Sequence, residues 1–266
     1  MRLGLSTSAF YGRWETEESA QAISRMGLNC AEVFLQTRSE YTREFAQCVR
    51  ENLGSVPCTS VHPLGTPFEN ALISRSMRQR RDARDVLCSV LDAAAELGSA
   101  MYVHHGRHSP RGEVLPWKMS ANAEMIGIIA EEAKARGMFV AWENVSWCQL
   151  ISPERVLEAK DALPDVRFTL DIKQAMKSGY DPSAFICAMG DRLANVHICD
   201  WDTEGRLCLP GEGSFDFSAF FARLKEAGYD GPVIVEPYLA LIGSDEALVQ
   251  SITYIKEIIK GVNRDE

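Results

Sequence analysis

The sequence lacks an excess of positive charge. Its 266 residues carry 28 Lys and Arg against 37 Asp and Glu, a formal net charge of −9. Proteins that bind nucleic acids or anionic membranes gain affinity by neutralising phosphates, so this balance argues against both as partners. The sequence also lacks an apolar run near the roughly 18 residues of a membrane span. After Met1–Leu5 it continues with polar Ser6 rather than a signal-peptide core, so we expect a cytoplasmic protein without a membrane segment.

A Cys-x-x-Cys pair is absent as well, although the chain has eight cysteines. Because they are scattered, we expect reduced, mostly buried thiols rather than a disulfide framework. No linker, charge block or low-complexity tract interrupts the sequence. Length and continuity together predict one domain over residues 1–266.

Eight short β-rich runs alternate with longer segments of helical periodicity. Their starting points are about 33 residues apart on average, the size of one βα unit. The predicted strands are Leu3–Ser6, Cys30–Phe34, Cys58–His62, Met101–His104, Phe139–Glu143, Arg167–Asp171, Leu193–His197 and Pro232–Glu236. Between them apolar residues recur three or four positions apart, as at Leu248, Ile252, Ile255 and Ile259, in a helix predicted to end before Gly261.

This alternation fits either a closed (β/α)₈ barrel or an open doubly wound sheet. An open sheet predicts a glycine-rich fingerprint after its first strand, but Thr7–Gly12 contains no G-x-G-x-x-G. The sequence therefore predicts a single (β/α)₈ TIM barrel of the α/β class. In such a barrel the carboxyl ends of the strands meet around one mouth.

Seven of the eight predicted strands end in or near a carboxylate or an imidazole. These residues are Glu32, His62, His104 with His105, Glu143, Asp171, His197 and Glu236. Four of them, Glu143, Asp171, His197 and Glu236, offer three carboxylates and one imidazole, a donor set that suits Mn²⁺, Mg²⁺, Co²⁺ or Zn²⁺. One cation would also explain how three carboxylates tolerate one another.

Each of these four residues has a structural alternative. Glu143 and Glu236 follow apolar strands and could form buried salt bridges. Asp171 could cap the following helix, and His197 could be a core histidine with satisfied hydrogen bonds.

Seven short motifs, in this order along the chain, carry a resemblance to a known family. They are Ser60–Pro63, Tyr102–Gly106, Trp142–Asn144, Thr169–Asp171, Val196–Asp200, Pro210–Gly213 and Val235–Pro237. Over essentially the whole chain they resemble the xylose-isomerase-like TIM-barrel superfamily of sugar phosphate isomerases and epimerases. This resemblance implies that Glu143, Asp171, His197 and Glu236 hold one divalent ion, with Mn²⁺ preferred, and that both glutamates are the catalytic acid and base.

The sequence departs from the family pattern at Gln174. The family usually has a histidine three residues after the aspartate, whereas an amide can hydrogen-bond a hydroxyl but neither titrates near neutrality nor serves as an ordinary metal ligand. Type IV apurinic endonucleases of the superfamily use three zinc ions and need further His and Asp ligands before the Gly-Glu-Gly turn, where Gly205–Pro210 has neither. That function is therefore disfavoured.

Further residues are candidates for substrate binding. His62, His104 and His105 end two strands, and the four metal-ligand candidates already complete a site without them. Lys173 and Arg107 lie close in sequence to the predicted mouth and could hold a carboxylate or phosphate. Gln174 and Glu212 complete this set.

The predicted function is metal-assisted proton transfer through an enediolate on a small ketose or related polyol-ketone. If Glu143 and Glu236 act on opposite faces, the outcome is epimerisation. A single shuttling glutamate gives aldose–ketose isomerisation, and loss of a β-hydroxyl gives an inosose-dehydratase-like lyase. A non-catalytic sugar-binding barrel is the alternative of a different class, and a homo-oligomer is compatible with the sequence.

Overall fold

Eight parallel strands close into a barrel in the computed structural model, which describes residues 1–64, 67–109 and 115–264. The strands are β1 (Arg2–Ser6), β2 (Cys30–Leu35), β3 (Cys58–Pro63), β4 (Met101–His104), β5 (Phe139–Glu143), β6 (Arg167–Asp171), β7 (Leu193–Ile198) and β10 (Pro232–Val235). Neighbours in sequence pair in order, and β1 closes the ring against β10 with Leu3 opposite Val233. The predicted (β/α)₈ barrel is confirmed, and every predicted strand end lies within one residue of the observed one.

Helices surround the barrel and cover its apolar outer face. They are α1 (Thr16–Ser24), α2 (Arg43–Leu53), α3 (Pro67–Ala71), α4 (Met77–Glu96), α5 (Met119–Lys134), α6 (Pro153–Ala162), α7 (Ile172–Lys177), α8 (Pro182–Met189), α9 (Phe217–Glu226) and α10 (Asp245–Arg264). Among the described residues, no helix is long and apolar enough to cross a bilayer.

The last helix is longer than the sequence predicts. It continues through Gly261 to Arg264. Val262 packs against the core, and Lys225 of α9 donates a hydrogen bond to the Val262 carbonyl at 2.8 Å. A cation that satisfies a terminal carbonyl prolongs a helix beyond the end that local propensity predicts.

The alternation of side chains along each strand decides what enters the barrel. Residues two apart face the same side. The inward face carries Glu32 of β2, Ser60 of β3 and Asn195 of β7. Glu32 Oε2 accepts a hydrogen bond from the Ser60 hydroxyl at 2.7 Å and another from the Asn195 side-chain amide at 3.2 Å. The interior is thus polar immediately beneath the carboxyl ends of the strands.

A short hairpin lies between β7 and α9, in the seventh βα unit. Its strands are β8 (Asp200–Trp201) and β9 (Leu207–Cys208), which pair antiparallel. The buried carboxylate of Asp200 accepts hydrogen bonds from the backbone N–H groups of Gly211, Gly213 and Phe215 at 2.9 to 3.1 Å. This one side chain therefore fixes the turn that leads into α9.

Candidate metal centre and active site

Four side chains from four consecutive barrel strands converge at the carboxyl end of the barrel. Glu143, Asp171, His197 and Glu236 each place one ligand atom within 4.8 Å of the others. Glu143 ends β5 and Asp171 ends β6, while Asp171 lies opposite His197 in the register of β6 and β7. Glu236 follows β10 and is held there by a 3.0 Å hydrogen bond from its N–H to the Ile198 carbonyl.

His197 is held by its Nε2 atom. Nε2 lies 2.9 Å from Glu32 Oε2 in the barrel interior, so Nδ1 faces Glu143 and Glu236 at 3.5 and 3.4 Å. Burial by itself would lower the pKa of His197, but the charges of Glu32 and Glu236 raise this pKa well above its usual value. An interior carboxylate thus determines which imidazole nitrogen points at the cluster.

Asp171 uses its two carboxylate oxygens differently. Oδ1 accepts a 3.0 Å hydrogen bond from the Gln174 N–H and caps α7, as one reading of the sequence predicts. Asn144 fixes the Asp171 backbone from both sides, through hydrogen bonds of 2.7 Å to the N–H and 2.9 Å to the carbonyl. Oδ2 remains directed into the cluster, so helix capping leaves one oxygen for a ligand.

The cluster fits a cation. His197 Nδ1 is buried and faces the Glu143 and Glu236 carboxylates at 3.5 and 3.4 Å, and Asp171 Oδ2 is buried beside the Lys173 ammonium at 3.1 Å. An ion among these atoms would offset the repulsion between three buried carboxylates. Three carboxylates and one imidazole match the preferences of Mn²⁺, Mg²⁺, Co²⁺ or Zn²⁺.

Lys173 is a buried cation beside two of these carboxylates. Its Nζ lies 3.1 Å from Asp171 Oδ2 and 3.0 Å from Glu236 Oε2. Burial opposes its charge, but the two carboxylates hold the pKa of Lys173 well above its usual value. Burial raises the pKa of Asp171 to about 6 against the opposing effect of Lys173. Burial likewise works against ionisation of Glu236, but Lys173 and His197 hold the pKa of Glu236 well below its usual range.

Two histidines contact Glu143 from the other side. Glu143 Oε2 lies 3.3 Å from His105 Nε2 and 3.5 Å from His62 Nε2, and the two imidazoles are 2.6 Å apart. Burial alone would raise the pKa of Glu143, but hydrogen bonds from His105, His197 and His62 hold this pKa well below its usual range. Burial and the neighbouring charge of His62 lower the pKa of His105.

The amide of Gln174 has a defined orientation. Its Oε1 accepts hydrogen bonds from the Ser146 N–H and hydroxyl at 3.1 and 2.7 Å. Because the carbonyl oxygen is occupied, the group that Gln174 offers a ligand is its NH₂ donor.

A cavity of about 370 Å³ opens over this cluster. Its floor includes His62, His105, Glu143, Asp171, Lys173, Gln174 and Glu236, and its remaining lining is Ser8, Tyr11, Phe34, Leu64, Val145, Trp147, Pro237 and Tyr238. The structure therefore brings together the four predicted ligands and four of the seven predicted substrate-binding residues, namely His62, His105, Lys173 and Gln174.

The other three predicted substrate-binding residues lie elsewhere. His104 is turned away from the cavity because it alternates with His105 along the chain, and its Nδ1 lies 3.0 Å from Glu69 Oε1 behind the barrel wall. Glu212 is exposed and accepts a hydrogen bond from the Leu209 N–H within its own turn. Arg107 is half-buried in the segment after β4 and is not among the described residues that line the cavity.

Two buried glutamates escaped the sequence analysis as site residues. Glu32 is 165 residues from His197 in the sequence, so no local pattern indicates that the two side chains are in contact. The signal that could have identified Glu32 is its place on a predicted strand, like the other candidate residues. Glu69 of α3 contacts His104 and accepts a 2.6 Å hydrogen bond from the Tyr102 hydroxyl. A short helix between strands carries no periodic signal that would have identified it.

Comparison with known proteins gives similar folds and distant relatives. A crystal structure described as a D-tagatose 3-epimerase-like protein superposes with a TM-score of 0.80 at 22% identity, covering 99% of this chain and 98% of that one. L-ribulose 3-epimerase of Methylomonas sp. (strain DH-1) is 24% identical over 243 residues, which cover 85% of this chain and 81% of that protein.

Dehydratases are also similar over part of the chain. Inosose dehydratase of Geobacillus kaustophilus (strain HTA426) is 28% identical over 130 residues, which cover 42% of this chain and 40% of that protein. The matched region spans less than half the length of the dehydratases that it resembles. Residues 20–258 match the family described as xylose isomerase-like TIM barrel. The chain, whose closed eight-stranded barrel carries this cluster at its carboxyl end, belongs to the xylose isomerase-like TIM barrel family.

Proposed function

We propose that this protein is a divalent-metal-dependent sugar epimerase or isomerase that transfers a proton at a carbon next to a ketone. The observation that carries the proposal is the position of two glutamates beside one imidazole nitrogen, each with a different set of proton-bearing neighbours. Glu143 and Glu236 lie 3.5 and 3.4 Å from His197 Nδ1. Glu143 contacts two histidines, whereas Glu236 contacts Lys173.

In this proposal Glu143, Asp171, His197 and Glu236 hold one ion, with Mn²⁺ preferred and Mg²⁺, Co²⁺ or Zn²⁺ possible. Such an ion supplies electrostatic stabilisation of the negative charge that develops on substrate oxygens during proton removal. Lys173 adds a fixed positive charge on the same side of the cavity.

Glu143 is suited to remove a proton. Its carboxylate is ionised because the pKa is held well below its usual range. As its Oε2 takes the C–H proton, the electron pair moves toward the ketone oxygen and gives an enediolate. His105 Nε2 and His62 Nε2, 3.3 and 3.5 Å from Glu143 Oε2, hold this carboxylate in place for the step.

Glu236 is suited to act on the other side of the reacting carbon. Its Oε2 is 3.0 Å from Lys173 Nζ, a hydrogen-bond donor that holds the carboxylate in place. If Glu236 takes a proton from solvent and delivers it to the face opposite Glu143, while Glu143 releases the removed proton to solvent, the stereocentre inverts. Two separately supported glutamates therefore favour epimerisation over a shuttle by one glutamate.

The epimerase relative supports a ketose as the substrate, because its 24% identity extends over 85% of this chain. A dehydratase is the second candidate, favoured by the 28% identity to inosose dehydratase over 42% of the chain. In that case the same base removes the proton and a β-hydroxyl leaves.

The test is solvent exchange. Protein loaded with Mn²⁺ is incubated in deuterated water with a panel of ketoses, keto-acids and inososes, and the products are analysed by NMR. We expect deuterium at one carbon of a ketose, and loss of exchange after chelation and in Glu143→Gln. The matched control is Glu40→Gln, since Glu40 is a buried glutamate that accepts its hydrogen bonds from Thr16 and Gln36 outside the cavity.

The outcomes separate the candidates. Deuterated product with an added double bond and loss of water would favour the dehydratase. Converted product that keeps its protium would contradict proton exchange through Glu143, and binding without any exchange would favour a non-catalytic sugar-binding barrel.

A further inference from the structure

Exposed apolar side chains are concentrated at the mouth of the cavity. Nine large apolar side chains are exposed within residues 1–64, 67–109 and 115–264, and four of them line this cavity: Tyr11, Leu64, Trp147 and Tyr238. Leaving apolar area in water costs free energy, and its concentration at one opening is typical of a surface that a ligand covers.

The aromatic side chains at this mouth, the rim of the cavity, contact neighbouring imidazole and ammonium groups. Trp147 stands edge-on to His105 and His108, with ring centroids 5.4 and 5.6 Å apart and interplanar angles of 84° and 82°. Lys173 and Lys177 lie 5.1 and 5.5 Å from the centroid of the Tyr238 ring. These contacts position flat aromatic side chains around the opening in the absence of a ligand. Ligand binding therefore costs little side-chain conformational entropy.

The polar and apolar parts of the lining are separated by depth. The floor residues Asp171 and Lys173 are 1% and 3% exposed, whereas Trp147 and Tyr238 at the rim are 39% and 48% exposed. The hydrogen-bonding groups of the rim lie at the edges of its aromatic rings, as the hydroxyls of Tyr11 and Tyr238 and the indole N–H of Trp147, and the Ser8 hydroxyl already donates to Ser6 Oγ. Hydroxyl groups placed against the faces of these rings would lose water without replacement.

We propose that the substrate is amphipathic: a keto-sugar whose reacting end meets the polar floor and whose other end carries a planar apolar substituent that packs against Trp147, Tyr11 and Tyr238. The identity of the sugar end rests on the proposed function. The apolar end rests on the rim alone, since an aromatic substituent gains area burial and edge-to-face or stacked contacts there.

The experiment compares two ligands that differ only in this substituent. Equilibrium dialysis of the Mn²⁺-loaded protein measures binding of the methyl and the phenyl glycoside of 3-keto-glucose. We expect the phenyl glycoside to bind about 3- to 10-fold more tightly. Trp147→Ala and Tyr11→Ala should each bring this ratio toward about 1 to 2, while affinity for the methyl glycoside changes little.

Leu157→Ala is the matched control, because Leu157 is an exposed apolar residue of α6 that is not among the described lining residues. This variant should keep the wild-type ratio. Equal binding of the two glycosides by the wild type, or an unchanged ratio in both rim variants, would overturn the proposal. So would sedimentation data showing that Trp147→Ala dissociates an oligomer, because a second copy of the chain would then be the occupant of the rim.

The two proposals fail separately. Solvent exchange with ketoses but no phenyl preference would refute the amphipathic substrate and leave the epimerase intact. A phenyl preference that depends on Trp147 without any solvent exchange would refute the epimerase and leave the apolar subsite intact.

Discussion

Glu32 determines the orientation of His197, because its Oε2 lies 2.9 Å from His197 Nε2 and leaves Nδ1 for an ion. A carboxylate behind a metal-ligating histidine fixes the ring and increases its basicity. We expect Glu32→Gln to weaken Mn²⁺ affinity about 10-fold or more, measured by competition with a fluorescent chelator.

Glu40→Gln is the control for this measurement, since Glu40 is similarly buried but contacts no residue of the cluster that is described above. Both variants should show native circular dichroism. Unchanged ion affinity in Glu32→Gln would mean that His197 does not bind the ion through Nδ1.

The sequence predicted the four converging residues because each lies at the end of a predicted strand, and the strand ends of a parallel barrel meet. The sequence could not show which of His104 and His105 lines the cavity, because the inward-facing one of two adjacent residues depends on the register of β4. It could not predict that Lys173 lies 3.0 Å from Glu236 either, because that contact joins residues 63 positions apart.

Among the elements, α3 depends on one buried carboxylate. Glu69 contacts Tyr102 and His104 of β4. Burial opposes its ionisation, but His104 and the Tyr102 hydroxyl lower the pKa of Glu69 below its usual 4.5. A carboxyl group whose pKa is lower in the folded state stabilises the fold above its unfolded pKa, and this contribution is lost as pH falls toward the folded pKa.

We therefore expect Glu69→Gln to reduce the free energy of unfolding by about 1–3 kcal/mol at pH 7, and by less as the pH falls below about 4.5. Urea denaturation of the metal-free wild type and variant, at pH 7 and at a pH below about 4.5, measures the difference in the free energy of unfolding. A destabilisation that grows at low pH would have the wrong sign and would refute the ionised pairing.

The hairpin of β8 and β9 depends on Asp200 in a similar way. The two carboxylate oxygens of Asp200 accept hydrogen bonds from several backbone N–H groups, whereas an asparagine at this position would have one acceptor oxygen for the same groups. In Asp200→Asn we expect the amides of Gly211 and Gly213 to exchange with solvent at least about 10-fold faster, with little change at Leu91 in α4. Equal protection in the variant and the wild type would show that the turn does not need the carboxylate.

At this scale the sequence predicted regular elements better than insertions. Alternating apolar runs and caps placed the eight barrel strands within one residue, because hydrophobic periodicity is local. By contrast, α3 and the hairpin are stabilised by contacts of Glu69 and Asp200 with residues 11 to 35 positions away. Short-range patterns cannot encode such contacts.

For the whole molecule, ion binding should be linked to stability, because the ligands come from four strands of the barrel. A ligand that binds only the folded state stabilises it by about 2.7 kcal/mol at 100 times its Kd. For a chain of this size that amounts to about 5–10 °C in Tm. We expect this rise on adding Mn²⁺ to chelator-treated protein, measured by calorimetry.

In Glu143→Gln the same addition should raise the Tm far less, whereas Leu157→Ala should respond as the wild type does. An equal response in all three proteins would place the stabilising ion outside the cluster.

The proposed function depends on one divalent ion held by Glu143, Asp171, His197 and Glu236. The most direct test is anomalous diffraction at the manganese edge from crystals grown with Mn²⁺. We expect one strong peak per chain, at about 2.0–2.3 Å from an atom of each of the four side chains. A peak bound by other residues, or no peak at this position in Mn²⁺-saturated protein, would contradict it.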